Sequence, residues 1–164
     1  MNSDFEANLQ VQELQAWARS GAKSKLIMVC GDVDETLGLA QSFSQILKGG
    51  DAVALQGTLG SGKTVFVKGL ALGLGLAHAD EVKSPTFVLM HVYPTRIPLY
   101  HFDLYRLEED KELEAIGFED FVSDPKAICC VEWAEKGIRY FPKSTYRVHL
   151  EILRDTERKI TIEK

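Results

Sequence analysis

Residues 53–64, VALQGTLGSGKT, decide the fold. Val53, Ala54 and Leu55 read as a buried strand, and the chain then turns through a glycine-rich bend into Lys63, Thr64 and Val65. Gly57 and Gly62-Lys63-Thr64, with Thr58, Leu59, Gly60 and Ser61 between them, satisfy G-x-x-x-x-G-K-[ST]. Such a bend lets successive backbone N–H groups point into one concavity. The start of the next helix adds unpaired N–H donors and the positive end of its dipole. Lys63 brings a mobile positive charge to the outer phosphates, and the Thr64 hydroxyl is placed to ligate Mg²⁺. A purely structural turn has no use for ammonium and hydroxyl side by side. The stretch is read as built to hold a phosphate chain.

The segments outward from this motif alternate strand and helix. Upstream, KLIMVCG (25–31) is a short strand, and residues 32–50 carry a helix face of Leu37, Ala40, Phe43, Ile46 and Leu47 that stops at Gly49-Gly50. Residues 51–57 are apolar enough for a central strand in a covered sheet. Downstream, 63–76 reads as a helix. Residues 84–94 and 97–107 read as paired strands, and 110–125 as one or two short helices. Residues 126–137 read as a buried strand with a polar end, and 145–164 as a hairpin around Arg154–Glu157. The sum is an α/β P-loop nucleotide-binding fold: a mostly parallel central sheet with antiparallel additions and flanking helices. Residues 1–23 read as a polar helix with sparse apolar points at Phe5, Leu9, Leu14 and Trp17. The natural boundary lies before Lys25, and the chain divides into an extension, 1–31, and a P-loop domain, 32–164.

Composition narrows the class. The 164 residues suit one domain, 45% are hydrophobic, and the formal net charge is −5 with both signs interspersed. No run of eighteen apolar residues predicts a membrane span, and the N-terminus has no signal-peptide pattern. Arg147, Arg154, Arg158 and Lys159 are read as a solvated edge rather than a nucleic-acid patch. Cys30, Cys129 and Cys130 lie in apolar runs without metal-ligand spacing and read as buried free thiols. The four histidines form no H-E-x-x-H cluster.

Phosphate-loop chemistry also needs a carboxylate at a neighbouring strand end. Glu132, after the apolar run of AICCVEW, is the candidate metal partner of Thr64. Asp103 in YHFDLYRL is a candidate to orient attacking water, against a structural hydrogen-bonding role. Thr86 either senses the terminal phosphate or marks a turn. His101 either makes a polar contact beside Asp103 or packs. Trp133 either covers the pocket or fills the core. Asp34 and Glu35 are expected to cap the helix that follows, and Thr36 to face the nucleotide. No N-K-x-D guanine signature is present and no second substrate domain is apparent, which favours slow ATP hydrolysis coupled to a protein partner.

In order along the chain, DETLGLAQSFSQIL, GTLGSGKTVFVKGLALGLG, VKSPTFVL, YHFDLYRL, ELEAIGFEDF and CVEWAEK resemble the bacterial TsaE family (older name YjeE) over roughly residues 32–153. The resemblance implies the ATPase component of the tRNA threonylcarbamoyladenosine system. Such a protein is cytoplasmic, binds ATP and Mg²⁺, and supports threonylcarbamoyl transfer to adenosine 37 of tRNA by a TsaB–TsaD pair. It leaves room for an indirect or weak tRNA contact. It implies that Lys63 serves the phosphates, Thr64 and Glu132 the metal, and Asp103 hydrolysis, and that Thr36, Thr86 and Trp133 lie near the nucleotide. The alternatives are a nucleotide-gated binding module with negligible turnover and a small P-loop kinase. Thr58 and Ser61 stand where the family usually has aspartate and alanine, and Ala134 where it has proline.

Overall fold

The computed structural model describes residues 2–20 and 25–164, and of residues 2–10 the backbone alone. The expectations at Phe5 and Leu9 therefore lie outside the described side chains. In chain order the elements are α1 (Asn2–Arg19), β1 (Leu26–Cys30), α2 (Val33–Ser44), β2 (Ala52–Gln56), α3 (Lys63–Gly73), β3 (Met90–Tyr93), β4 (Leu99–Asp103), α4 (Asp110–Ala115), α5 (Phe118–Val122), β5 (Ile128–Glu132), β6 (Tyr146–Ile152) and β7 (Arg158–Glu163). Short 3-10 turns fill 79–81 and 134–140.

The strands form one sheet in the order β1-β7-β6-β2-β5-β4-β3. Its centre is parallel: β2 pairs with β5 and β6, and β4 pairs with β5. The β6–β7 hairpin, β1 on β7 and β3 on β4 are antiparallel additions. Strand β2, which leads into the glycine-rich bend, is thus central, with neighbours on both sides, as its uninterrupted apolar run predicts.

Side chains alternate between the two faces. Val53 and Leu55 of β2, Ile128 and Cys130 of β5, and Val148 and Leu150 of β6 meet α2 and α3 through Leu39, Phe43, Phe66 and Leu70. Ala54, Cys129, Val131 and Phe102 turn to the opposite face and pack under Leu113, Phe118 and Val122 of α4 and α5. Leu14 and Trp17, one helical step apart on α1, join the first core, and the Trp17 ring lies 6.3 Å from that of Tyr146. All three cysteines are buried and free, and desolvation raises the pKa of the Cys30, Cys129 and Cys130 thiols.

Three local expectations are adjusted. The strand expected from Ser84 begins only at Met90. Pro85 has no N–H to give a ladder, and its carbonyl instead accepts from Val88 and Leu89 (3.1 and 2.7 Å), closing a turn in which Leu89 is left-handed (φ 71°). The helix expected to 76 ends at Gly73. The cap of α2 is Asp32, whose carboxylate accepts from Glu35 N at 2.9 Å. Asp34 and Glu35 occupy the first turn, where Glu35 reaches back to Gly31 N at 2.7 Å.

Helices α2 and α3 approach closely along small residues. A Cβ on Gly69 would sit 2.5 Å from both Ala40 Cβ and the Leu37 carbonyl, whereas one on Gly38 meets nothing within 4 Å. Alanine at either site gains about 1 kcal/mol of helix propensity, but at Gly69 the overlap with backbone costs about 1–3 kcal/mol. Gly69→Ala is therefore expected to lower the thermal midpoint and Gly38→Ala to raise it. A Gly69→Ala protein more stable than the wild type in denaturant titration contradicts this packing.

Candidate phosphate-binding site

The carboxyl ends of parallel strands are where ligands settle in open α/β sheets. Here the register sets Leu55 opposite Glu132, and Asp103 opposite Glu132. The end of β2 therefore stands beside two carboxylates on adjacent strands. Glu132 shares a face with Cys130, and Asp103 with His101, so both look toward α3 rather than toward α4 and α5.

The loop between β2 and α3 is shaped by glycine. Gly60 and Gly62 have φ of 76° and 101°, the left-handed region in which a side chain is strained. Their N–H groups donate to no protein acceptor among the described residues, and the first turn of α3 leaves further N–H groups without helical partners. Ser61 Oγ is buried without a partner among the described residues. Unclaimed donors in a glycine bend match the chemistry of an anion.

Lys63, 4% exposed, donates through Nζ to the carbonyls of Gly57 (2.7 Å) and Thr58 (2.9 Å). The ammonium also lies 3.9 Å from the centroid of the Trp133 ring. Burial pulls its pKa below the ordinary 10.5, opposed by the charges of Glu132, Glu135 and Asp103. Trp133 holds a left-handed backbone (φ 56°), a conformation that costs a bulky residue about 1–2 kcal/mol. The bend sets its ring over the ammonium and 5.0 Å from the ring of Tyr105.

Thr64 Oγ1 donates to Glu132, at 2.8 Å to Oε1 and 3.1 Å to Oε2. Glu132 Oε1 also meets His101 Nε2 at 2.8 Å. His101 is fully buried and its Nδ1 has no partner among the described residues. Its polar contact is thus to Glu132, which the parallel register sets opposite Asp103. Asp103 Oδ2 accepts from Ser84 Oγ and from Thr86 Oγ1 (2.8 Å), and Oδ1 accepts from Tyr105 N at 2.9 Å. The carboxylate fastens the 84–89 turn to the sheet.

A cavity of about 480 Å³ joins Lys63, Thr64, Thr86, Asp103, Glu132 and Trp133, with Leu59, Gly60, Gly62 and Val65 at its loop side. Gly57 and Thr58 line a shallower depression with Trp133. Thr36 lines a second cavity, about 400 Å³, that shares Gly60, Gly62 and Val65 with the first, and its hydroxyl donates to the Asp32 carbonyl at 3.1 Å. Among the described residues no three His, Cys, Asp or Glu side chains converge as a metal site. Thr64 with Glu132 suits Mg²⁺, which takes one or two protein oxygens and fills its shell with phosphate and water.

Three residues were not singled out for the site by the sequence. Ser84 sits in the quoted S-P-T run beside Thr86, so a local signal existed. Tyr105 follows Asp103 by two residues. Arg158 had been read as a solvated edge, yet its guanidinium donates to the carbonyls of Ser61 and Gly60, 97 and 98 residues away. No local pattern could reveal that contact.

The chain matches the family model described as threonylcarbamoyl adenosine biosynthesis protein TsaE over residues 30–160. It is 43% identical over 118 residues to the Treponema pallidum protein named tRNA threonylcarbamoyladenosine biosynthesis protein TsaE, covering 72% of this chain and 85% of that one. The Bacillus subtilis protein of the same name is 37% identical over 129 residues, 78% of each chain. The Aquifex aeolicus one is 38% identical over 130 residues, 79% of this chain and 89% of that one. The crystal structure of Bacillus subtilis YdiB superposes with a TM-score of 0.69 at 30% identity, over 85% of this chain and 84% of that chain. With the family model spanning most of its length, the chain belongs to the TsaE family.

Proposed function

We propose that this protein is the ATP-binding and ATP-hydrolysing subunit of a cytoplasmic assembly in which a TsaB–TsaD pair transfers threonylcarbamoyl to an adenosine of tRNA. The observation that carries the reading is the meeting of Lys63 and Thr64, at the start of α3, with Glu132 and Asp103 from two neighbouring strand ends.

The roles follow from each group's chemistry. The N–H groups of Gly60, Gly62 and the first turn of α3 receive phosphate oxygens. Lys63 leaves the carbonyls of Gly57 and Thr58 and pairs with the outer phosphates, where a charge-assisted contact is stronger than a neutral one. Thr64 and Glu132 hold Mg²⁺, which supplies neutralisation of the phosphate charge that builds during transfer. Asp103 orients water toward the terminal phosphate, and Ser84 and Thr86 keep its carboxylate aimed. Trp133 and Tyr105 wall the pocket against bulk solvent. No helix among the described residues is long and apolar enough to cross a membrane.

The test is single-turnover ATP hydrolysis with and without the TsaB–TsaD pair. The expected result is slow release of phosphate alone and faster release in the mixture. ATP binding with no hydrolysis in either condition identifies a nucleotide-gated binding module instead. Phosphorylated product without matching free phosphate identifies a kinase.

A further inference from the structure

Arg158 at the start of β7 makes an unusual set of contacts. Its Nε donates to the Ser61 carbonyl and its Nη2 to the Gly60 carbonyl, both at 3.2 Å. Its Nη1 donates to the carbonyls of Arg154 (3.0 Å), Asp155 (3.1 Å) and Glu157 (3.1 Å). Every contact is to backbone. Among the described residues no carboxylate forms an ion pair with it, although the neighbouring Arg154 and Lys159 each have one. The rigid fork thus bridges the β6–β7 turn to the phosphate loop.

We infer that Arg158 is a positioning residue for the phosphate loop, holding the Gly60 and Ser61 carbonyls outward so that the Gly62 N–H faces the anion. In a planar trans peptide the C=O and N–H point in opposite directions. Gripping Ser61 O therefore fixes the direction of Gly62 N–H, a donor without a protein acceptor among the described residues. Three other loop carbonyls are engaged independently: Gly57 and Thr58 by Lys63, Thr58 also by Ser61 N (3.1 Å), and Gly62 by Phe66 N (2.9 Å). When Lys63 swings to phosphate, its hold on Gly57 and Thr58 is released. The Arg158 hold does not depend on Lys63 and persists through that change. It is needed because Gly60 and Gly62 lack the side chains that would restrict the loop. A lysine could not replace it, since a single ammonium does not reproduce the planar fork.

The inference rests on the proposed ATP binding for its effect, but its geometry is readable without ligand. In the full chain, Arg158→Met and Arg158→Lys are compared with the wild type by ¹H–¹⁵N spectra of the free protein and by ATP–Mg²⁺ titration. Both variants are expected to shift the Ser61 and Gly62 amides while leaving those of Ile160 and Ile162 in place. Both are also expected to weaken ATP binding by about tenfold or more, from the loss of charge-assisted contacts. A folded Arg158→Lys with wild-type affinity overturns the inference, as do unshifted Ser61 and Gly62 amides in either variant. If Arg158→Met does not fold, Arg158→Lys alone decides. A wild-type protein that binds no ATP instead overturns the proposed function, while the free-protein spectra still decide whether Arg158 sets the loop.

Discussion

Lys63→Ala is expected to yield a folded protein whose affinity for ATP–Mg²⁺ and whose turnover have each fallen by about a hundredfold or more, the scale seen when one preorganised charge donor is removed. The fold should tolerate the change. Lys63 gives up two hydrogen bonds to loop carbonyls, but burial already disfavours its ammonium, so removing it also removes a desolvated charge. Binding isotherms, hydrolysis rates and a thermal melt on the same preparation separate these effects. Wild-type affinity in the variant excludes Lys63 from the phosphate site. The wild type carries a matching pH signature. Phosphate oxygens favour the ammonium form and so raise the lowered pKa of Lys63, which makes binding take up a proton in the pH range around and above the free protein's Lys63 pKa. Affinity should therefore be full below the free protein's Lys63 pKa and decline as pH rises through it, beginning below the ordinary lysine value of 10.5. Calorimetry in buffers of different ionisation enthalpy reads the proton directly.

The stretch around that lysine made most of the architecture legible. A strand ending in G-x-x-x-x-G-K-T and opening a helix has few ways to pack, and the unbroken apolar runs of β2 and β5 left them only central positions. The faces of β6 are also readable, because Tyr146, Val148 and Leu150 alternate with Arg147, His149 and Glu151. What periodicity does not encode is which distant strand lies alongside which. The placement of β1 against β7 depends on pairing between residues far apart in sequence, as does the approach of Arg158 to Ser61. The 84–89 turn was misread as strand because Phe87, Val88 and Leu89 have strand-like composition. Their backbone is instead governed by Pro85 and by hydroxyls drawn to Asp103. For His101 the sequence leaves a polar contact or packing open, and it is the parallel register, bringing β5 alongside β4, that gives the ring Glu132. In the glycine-rich bend, Thr58 in place of the aspartate usual in the family changes little that holds the lysine, because the contact is made by its carbonyl and its side chain is exposed.

The second large effect is expected at Glu132, and the choice of substitution decides what is learned. Glu132 is 3% exposed and lies between the Thr64 hydroxyl and His101 Nε2. Alanine would leave the buried His101 ring with neither nitrogen paired, since Nδ1 already lacks a partner among the described residues. An abandoned buried polar group costs about 1–3 kcal/mol, so a loss of activity in Glu132→Ala would mix fold with chemistry. Glu132→Gln keeps the shape and an acceptor oxygen for Thr64 or His101 while removing the negative charge that a divalent cation requires. For Glu132→Gln we expect a melting temperature close to the wild type, a Mg²⁺ concentration for half-maximal hydrolysis raised about tenfold, and turnover at saturating metal lowered about a hundredfold. The two shifts arise from one cause: a neutral amide coordinates Mg²⁺ more weakly and leaves the metal less firmly placed against the phosphates. If only the melting temperature moves, Glu132 serves the fold through His101 rather than the metal. A magnesium titration that overlays the wild type removes it from the site, leaving Thr64 as the sole protein oxygen proposed for the ion.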